Sequence, residues 1–293
     1  MRFKVLILPG GGVFCTITSQ LLAEYGRERC VQEMAQVVGG NSGGGILSLL
    51  YGRGMEFGTV RDLMRDALPS IFAKSWYNPW GIFGPIHDAA IIEKFLQKHL
   101  ALPFGDLTPK IIVPAIDFQH RKVKVFDNIT KQDDIKLPSW HVARATSAAP
   151  TYFKPFDCQK TAYIDGGLFE NVPLLTTIMA IKSKMGVLPD KLDVFVIGTG
   201  VGAPSDIIPP QVASWGLRSW ASPMIDSLTT SNEMASIFWA KQLGLRQLTV
   251  FNPIVLERGW KMNDPSLVNK LIDLASSHQA EFNRVFGEWE ART

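Results

Sequence analysis

The sequence is poor in the residues that build disulfide scaffolds and zinc sites. Its 293 residues hold three cysteines, Cys15, Cys30 and Cys158, odd in number, widely spaced and without a C-x-x-C pair. Neither a disulfide framework nor a structural zinc site is expected, and a reducing compartment fits best. Long apolar runs are missing too: no segment approaches the roughly 18 residues that a membrane-spanning helix needs. The opening stretch MRFKVLILPGGG runs straight into glycines with no small-residue cleavage site behind it, so it reads as a strand and not as a signal peptide. Basic clusters are absent, and a net charge of +3 with a pI near 8.7 falls well short of a nucleic-acid footprint. Together these absences favour a cytoplasmic location and exclude nucleic acid as the expected partner.

What is present is a globular chain on the apolar side, 46% hydrophobic and 19% charged, with enough length for a substantial core. No repeat, low-complexity tract or change of composition marks a linker, so one α/β domain over residues 1–293 is the simplest account.

Phe3 to Leu8 is an apolar run interrupted only by Lys4, the pattern of a buried parallel strand, and Gly10-Gly11-Gly12 ends it. A helix is predicted over about Thr16–Tyr25 and a short strand over Met34–Val38. The stretch after Ser42 carries Ile46, Leu47, Leu49 and Leu50 at helical spacing. Helices are predicted near Thr59–Leu68, Asp88–Leu100, His141–Ala149, Pro173–Lys184, Ser222–Leu243 and Pro265–Trp289. Strands are predicted at Ile111–Phe118, Lys122–Phe126, Ala162–Ile164, Leu192–Ile197 and Gln247–Phe251. The alternation of strands and helices predicts a layered α/β fold. Between the third and fourth helices an aromatic stretch with Trp76, Tyr77, Trp80, Ile82 and Phe83 reads as a loop or lid suited to a lipid interface, or packed on the core.

Gly40-Asn41-Ser42-Gly43-Gly44 has the G-x-S-x-G spacing of a nucleophile elbow. A serine hydroxyl is a weak nucleophile; it needs exposure, a base and donors for the oxyanion it creates. A strand-to-helix turn supplies exposure, and the helix N-terminus supplies part of the donor set. The same residues would also suit a helix N-cap or a phosphate cradle, although a P-loop would need Lys and Ser or Thr where Ile46-Leu47 stand. Gly10-Gly11-Gly12 lets the backbone turn its N–H groups outward as an anion-binding nest, or forms a plain tight turn; a dinucleotide fingerprint fails because Cys15 replaces its last glycine.

The base is harder to find. His87, His99, His120, His141 and His278 are the only histidines, and an α/β-hydrolase order would nominate His278 from a helical segment, a poor geometry. Asp165, closing a strand before Gly166-Gly167, offers a carboxylate that could accept directly from the serine at the same sheet edge. Aspartate and glycine also favour turns without any catalytic role.

Taken together, the glycine triplet, GNSGG, Asp165-Gly166-Gly167 with Asn171 and Pro173 behind it, and the block ATSAAPTYFKP from Ala145 to Pro155 resemble the patatin-like phospholipase family. The resemblance runs from about residue 3 to residue 180. It implies a three-layer α/β/α fold with a mainly parallel central sheet, completed by the C-terminal part. It also implies a lipid acyl hydrolase of phospholipase A or lysophospholipase type, with Ser42 as nucleophile, Asp165 as base and the amides of Gly10, Gly11 and Gly12 as oxyanion donors. Gly40, Asn41, Gly43 and Gly44 would shape the elbow, and Gly166 and Gly167 the turn after the acid. No metal or other cofactor is implied; the implied partner is a phospholipid or other acyl lipid, with peripheral membrane contact. An acyltransferase, a thioesterase or a catalytically weak lipid-binding protein would use the same framework. The chain departs from the family's first motif: Pro9 stands where an aspartate is usual, Phe14 where an arginine or lysine is usual, and Cys15 where the last glycine is usual. Arg121 and Arg144 are candidates to supply the missing cation.

Overall fold

The structure is a computed structural model that describes residues 2–74, 84–130, 133–202 and 216–292. The aromatic stretch with Trp76, Tyr77, Trp80, Ile82 and Phe83 lies outside the described residues.

Strand β1 (Phe3–Leu8) leads through a 3-10 turn into helix α1 (Cys15–Tyr25), then β2 (Val37–Gly40), α2 (Ser42–Gly52), α3 (Phe57–Ile71) and α4 (Ala89–His99). Next come β3 (Lys110–Asp117), β4 (Lys122–Asp127), α5 (Ser139–Thr146), β5 (Phe156–Cys158), β6 (Thr161–Asp165), α6 (Gly167–Glu170) and α7 (Leu174–Ala180). Strand β7 (Leu192–Ile197), α8 (Leu217–Gln242), β8 (Gln247–Phe251), α9 (Val268–Ser277) and α10 (Gln279–Ala291) complete the order.

Alternation along the strands creates the layers. Because successive side chains point to opposite faces of a sheet, Leu6 and Leu8 of β1 enter one apolar cluster while Val5 and Ile7 enter another. In β7, Phe195 and Ile197 join the first cluster, and Val194 and Val196 join the second. Helices α1, α2, α3, α9 and α10 cover the first face; α7 and α8 cover the second through Ile178, Ala240 and Ile237. Both faces are buried, which is why β1 and β7 read as continuous apolar runs.

Sheet order is β5-β6-β3-β2-β1-β7-β8, with β4 also pairing β3. The β1–β2, β1–β7, β2–β3 and β7–β8 pairs are parallel, whereas β3–β4, β3–β6 and β5–β6 are antiparallel. The centre is thus parallel and one flank antiparallel. Strand β2 pairs β3 through Lys110–Ile112, β6 pairs it through Ala115–Asp117, and β4 pairs it along Ile112–Asp117. A strand has only two edges, and β4 overlaps both of the others, so β2 and β6 share one edge of β3. Running in opposite directions, they meet tip to tip where β2 ends and β6 ends.

Strand β5 and helix α6 are not foreseen by the sequence reading, and among the boundaries that differ, two have a physical cause in the packing. Strand β2 begins and ends later than Met34–Val38, because Gly39 and Gly40 pair with Ile7 and Leu8; backbone pairing needs no side chain, so the glycines carry no strand signal. The final helix divides at His278. Helix α9 lies against α1, while α10 turns to place Phe286 and Trp289 against Phe195, with ring centroids 5.0 and 5.5 Å apart. Apolar spacing alone does not show such a break.

Candidate active site

Ser42 opens α2 with φ +50, a left-handed conformation rare for a residue with a side chain. Neighbouring glycines permit this turn. A Cβ on Gly44 would lie 2.1 Å from the Leu8 carbonyl oxygen, and one on Gly40 would lie 2.5 Å from the Gly44 carbonyl oxygen. The Ser42 amide donates to Thr146 Oγ1 at 3.0 Å, and the Thr146 hydroxyl donates to the Pro114 carbonyl at 2.7 Å. Thr146 thus anchors the strained residue from the end of α5.

Asp165 is brought to Ser42 by the shared edge of β3. Its strand is antiparallel, so the carboxylate approaches from the opposite end and not from a neighbouring carboxyl edge as the parallel reading supposed. Asp165 is buried; its Oδ1 accepts from the Gly167 amide at 2.7 Å and lies 3.4 Å from Asn41 Nδ2. Burial pushes its carboxyl up to about 6, opposed by hydrogen bonds from the Ser42 side chain, the Gly167 amide and Asn41. A carboxylate poised there is mostly ionised at neutral pH and still able to hold a proton. Gly166 and Gly167 allow the close approach: a Cβ on Gly166 would sit 2.5 Å from the Pro114 carbonyl oxygen.

The glycine triplet lies on the other side of Ser42, and its three amides are not equivalent. The Gly10 amide donates to the Asn171 carbonyl at 3.0 Å, and the Gly10 carbonyl accepts from Thr199 Oγ1 at 3.2 Å and Asn171 Nδ2 at 3.4 Å. Gly10 is therefore clamped, its N–H already used. The amides of Gly11 and Gly12 have no protein acceptor among the described residues. Gly12 has φ +55, and a Cβ there would stand 2.2 Å from the Met262 carbonyl oxygen, which accepts the Val13 amide at 2.8 Å.

Phe14 is buried in the first core cluster, so its position lends the nest no cation. Cys15 is also buried, and burial pushes its thiol up to about 12, leaving it an apolar filler beside Gly43. Neither candidate arginine reaches the site. Arg144 is fully buried, 3.2 Å from Glu93, donating to the Lys154 carbonyl at 2.8 Å and lying over Phe153 and Phe156. Arg121 is exposed on the β3–β4 turn. His278 sits between α9 and α10 with its ring against the Leu274 carbonyl and does not line the cavity that holds Ser42.

Ser42, Asp165 and the glycine nest open into one cavity of about 560 Å³, within the range of small-molecule sites. Its apolar wall comes from Met64, Leu68 and Ile71 of α3, Ile92 and Phe95 of α4, and Phe153. The block Ala145–Pro155 supplies the Thr146 anchor, the Ala148 carbonyl that accepts the Asp165 amide at 3.1 Å, and the wall from Ala149 to Phe153. Thr146 carries no role recognisable from sequence, being one threonine in a run of small residues. Lys261, Met262 and Asn263 also line the cavity, from a segment without any motif. No group of three His, Cys, Asp or Glu that could hold a metal occurs among the described residues.

The geometry defines a three-layer α/β protein in which a serine elbow, a buried aspartate and a glycine nest converge on an apolar cavity. The family model described as patatin-like phospholipase matches residues 6–178, and the chain belongs to the patatin-like phospholipase family. It is 27% identical over 238 residues to a cGAMP-activated phospholipase of Escherichia coli, a match covering 73% of this chain and 66% of that one. A cGAMP-activated phospholipase of Vibrio cholerae is 29% identical over 199 residues, 59% of this chain and 56% of the other. The 85/88 kDa calcium-independent phospholipase A2 of Rattus norvegicus is 26% identical over 289 residues, covering 82% of this chain and 31% of that one. The chain thus spans less than two thirds of the length of these relatives. VipD from Legionella pneumophila shares the fold, with a TM-score of 0.50 at 13% identity over 97% of this chain and 67% of that one. Among the described residues no helix is long and apolar enough to cross a membrane.

Proposed function

We propose that the chain is a lipid acyl hydrolase acting through a Ser42/Asp165 dyad. The observation that carries this reading is the strained Ser42 and the buried Asp165, whose carboxyl burial raises to about 6, lining one apolar cavity together. Ser42 Oγ attacks the acyl carbonyl while Asp165 takes the hydroxyl proton. The amides of Gly11 and Gly12 receive the developing oxyanion, with Gly10 holding the turn in place through Asn171. Collapse breaks the ester bond; Asp165 returns its proton to the departing alkoxide, and an acyl-serine remains. A water then gives a proton to Asp165 and attacks the acyl carbon, and the proton returns to Ser42 as the fatty acid leaves.

Membership of the family and the apolar wall support an acyl chain as the cavity's occupant. A fluorophosphonate probe tests the reading directly. Covalent labelling at Ser42, with fatty acid released from phospholipid vesicles in EDTA, is the expected result. An unlabelled but folded protein would turn the reading toward a lipid-binding protein.

A further inference from the structure

We propose that Lys261 forms an anion subsite in the lining of the cavity, where it holds the phosphate of a glycerophospholipid and selects phosphate-bearing acyl esters over neutral ones. This rests on the acyl-hydrolase reading and assigns a ligand group to the same site.

Among the described residues lining the cavity, Lys261 is the single cation and Asp165 the single carboxylate. Asp165 is turned toward Ser42 and held by the Gly167 amide, so it is not a partner for the lysine. Lys261 makes no ion pair and no side-chain hydrogen bond among the described residues. Its ammonium is exposed, but its backbone is fixed beside the nest. Met262 accepts the Val13 amide at 2.8 Å, the Lys261 carbonyl accepts the Asp264 amide at 3.0 Å, and Asn263 Nδ2 meets His87 Nε2 at 3.3 Å. The bare Cα of Gly12 is what lets this segment approach so closely, since the Met262 carbonyl occupies the space of a side chain.

Position and charge point to one ligand group. The Gly11 and Gly12 amides are placed for the transient oxyanion, and a standing anion there would compete with catalysis. A phosphate a few bonds along the glycerol from the scissile ester therefore needs its own cation. The other candidates are unsuited: Arg144 is paired with Glu93, and Arg121 lies on the β3–β4 turn and does not line the cavity. A lysine ammonium on a flexible stem, anchored at its backbone, suits a phosphate whose position varies with the bound lipid.

The test uses monomeric short-chain phosphatidylcholine and the matching diacylglycerol, with binding measured by calorimetry in the Ser42→Ala background and turnover measured with Ser42 present. Lys261→Ala is expected to weaken phosphatidylcholine binding about fivefold, the scale of one partly exposed charge pair. The ratio of kcat/KM for phosphatidylcholine over diacylglycerol should fall by the same factor through KM, and Lys261→Arg should restore it. Equal losses for both lipids, a fall in kcat shared by both, or no change would each overturn the proposal. Inorganic phosphate binding as tightly as the lipid, and depending on Lys261, would assign the subsite to free phosphate and overturn the headgroup reading. Labelling of Ser42 by a fluorophosphonate in every Lys261 variant separates this proposal's failure from failure of the hydrolase reading.

Discussion

The two sides of Ser42 are built differently. On the side of the proposed base, Asp165, Asn41 and Thr146 come from strand and helix ends inside the motif-bearing part of the chain, and each is fixed by hydrogen bonds of 2.7 to 3.4 Å. On the side of the proposed oxyanion site, the glycine triplet leaves two amides without an acceptor among the described residues. Its position depends on Asn171, on Thr199 at the end of β7, and on the Met262 carbonyl from the last third. The Asp165 side is built wholly within the motif-bearing part of the chain, although its contacts span more than 100 residues; the glycine-triplet side also needs the last third.

The contrast breaks most sharply at Asp165. Asp165→Asn should lower kcat/KM on the order of 10³-fold or more, as loss of a base does in other serine hydrolases, measured with a p-nitrophenyl acyl ester. The same change should stabilise the protein at alkaline pH. In the fold this carboxyl is raised from 3.8 to about 6, so the native state keeps a proton that the unfolded chain has released. Its contribution to stability is complete below about pH 4 and is lost as pH rises through 6, a difference of about 3 kcal/mol. A melting-temperature gain for Asp165→Asn that is present at pH 8 and absent at pH 4 is the expected signature.

On the oxyanion side, Gly12→Ala should cost on the order of 10²-fold in kcat, because the added methyl meets the Met262 carbonyl and the positive φ no longer suits the residue. A fall in KM alone would contradict this placement. Thr146→Val sharpens the comparison from the base side: it leaves the Ser42 amide without its acceptor, a cost of about 1–3 kcal/mol in stability read by denaturant unfolding. The effect that needs no substitution is graded by pH. In the intact enzyme kcat/KM should fall tenfold per unit below a midpoint of about 6 as Asp165 becomes protonated. A midpoint near 4 would show that burial does not act on the reacting carboxyl.

Much of the base side was legible in the sequence. The spacing around Ser42 and the DGG turn after Asp165 stand out because glycine is demanded wherever backbone approaches within a side chain's reach. Strand β7 was readable to the residue, since a nearly continuous apolar run marks a strand buried on both faces, and β8 from its branched and apolar Leu248–Phe251. The end of β2 was not, because its last residues are glycines. Nor was the break at His278, which answers to what lies under α10. Thr146 carries no local signal; its role exists only because α5 ends over the elbow. Lys261 and Met262 follow no motif, and the tight contact of Gly12 with the Met262 carbonyl exists only because the chain beyond β8 packs against the turn after β1.

From the sequence alone came the class of fold, the serine, the aspartate and the glycine turns, because each depends on residue type, short spacing or strand alternation. The tertiary structure alone decided that Asp165 reaches Ser42 along a shared edge of β3, from an antiparallel strand. It also decided that the Gly10 amide is already bonded and that a lysine from the last third lines the cavity. These follow from which strands share an edge and which distant segments cross it, relations of pairing and packing that no local spacing encodes.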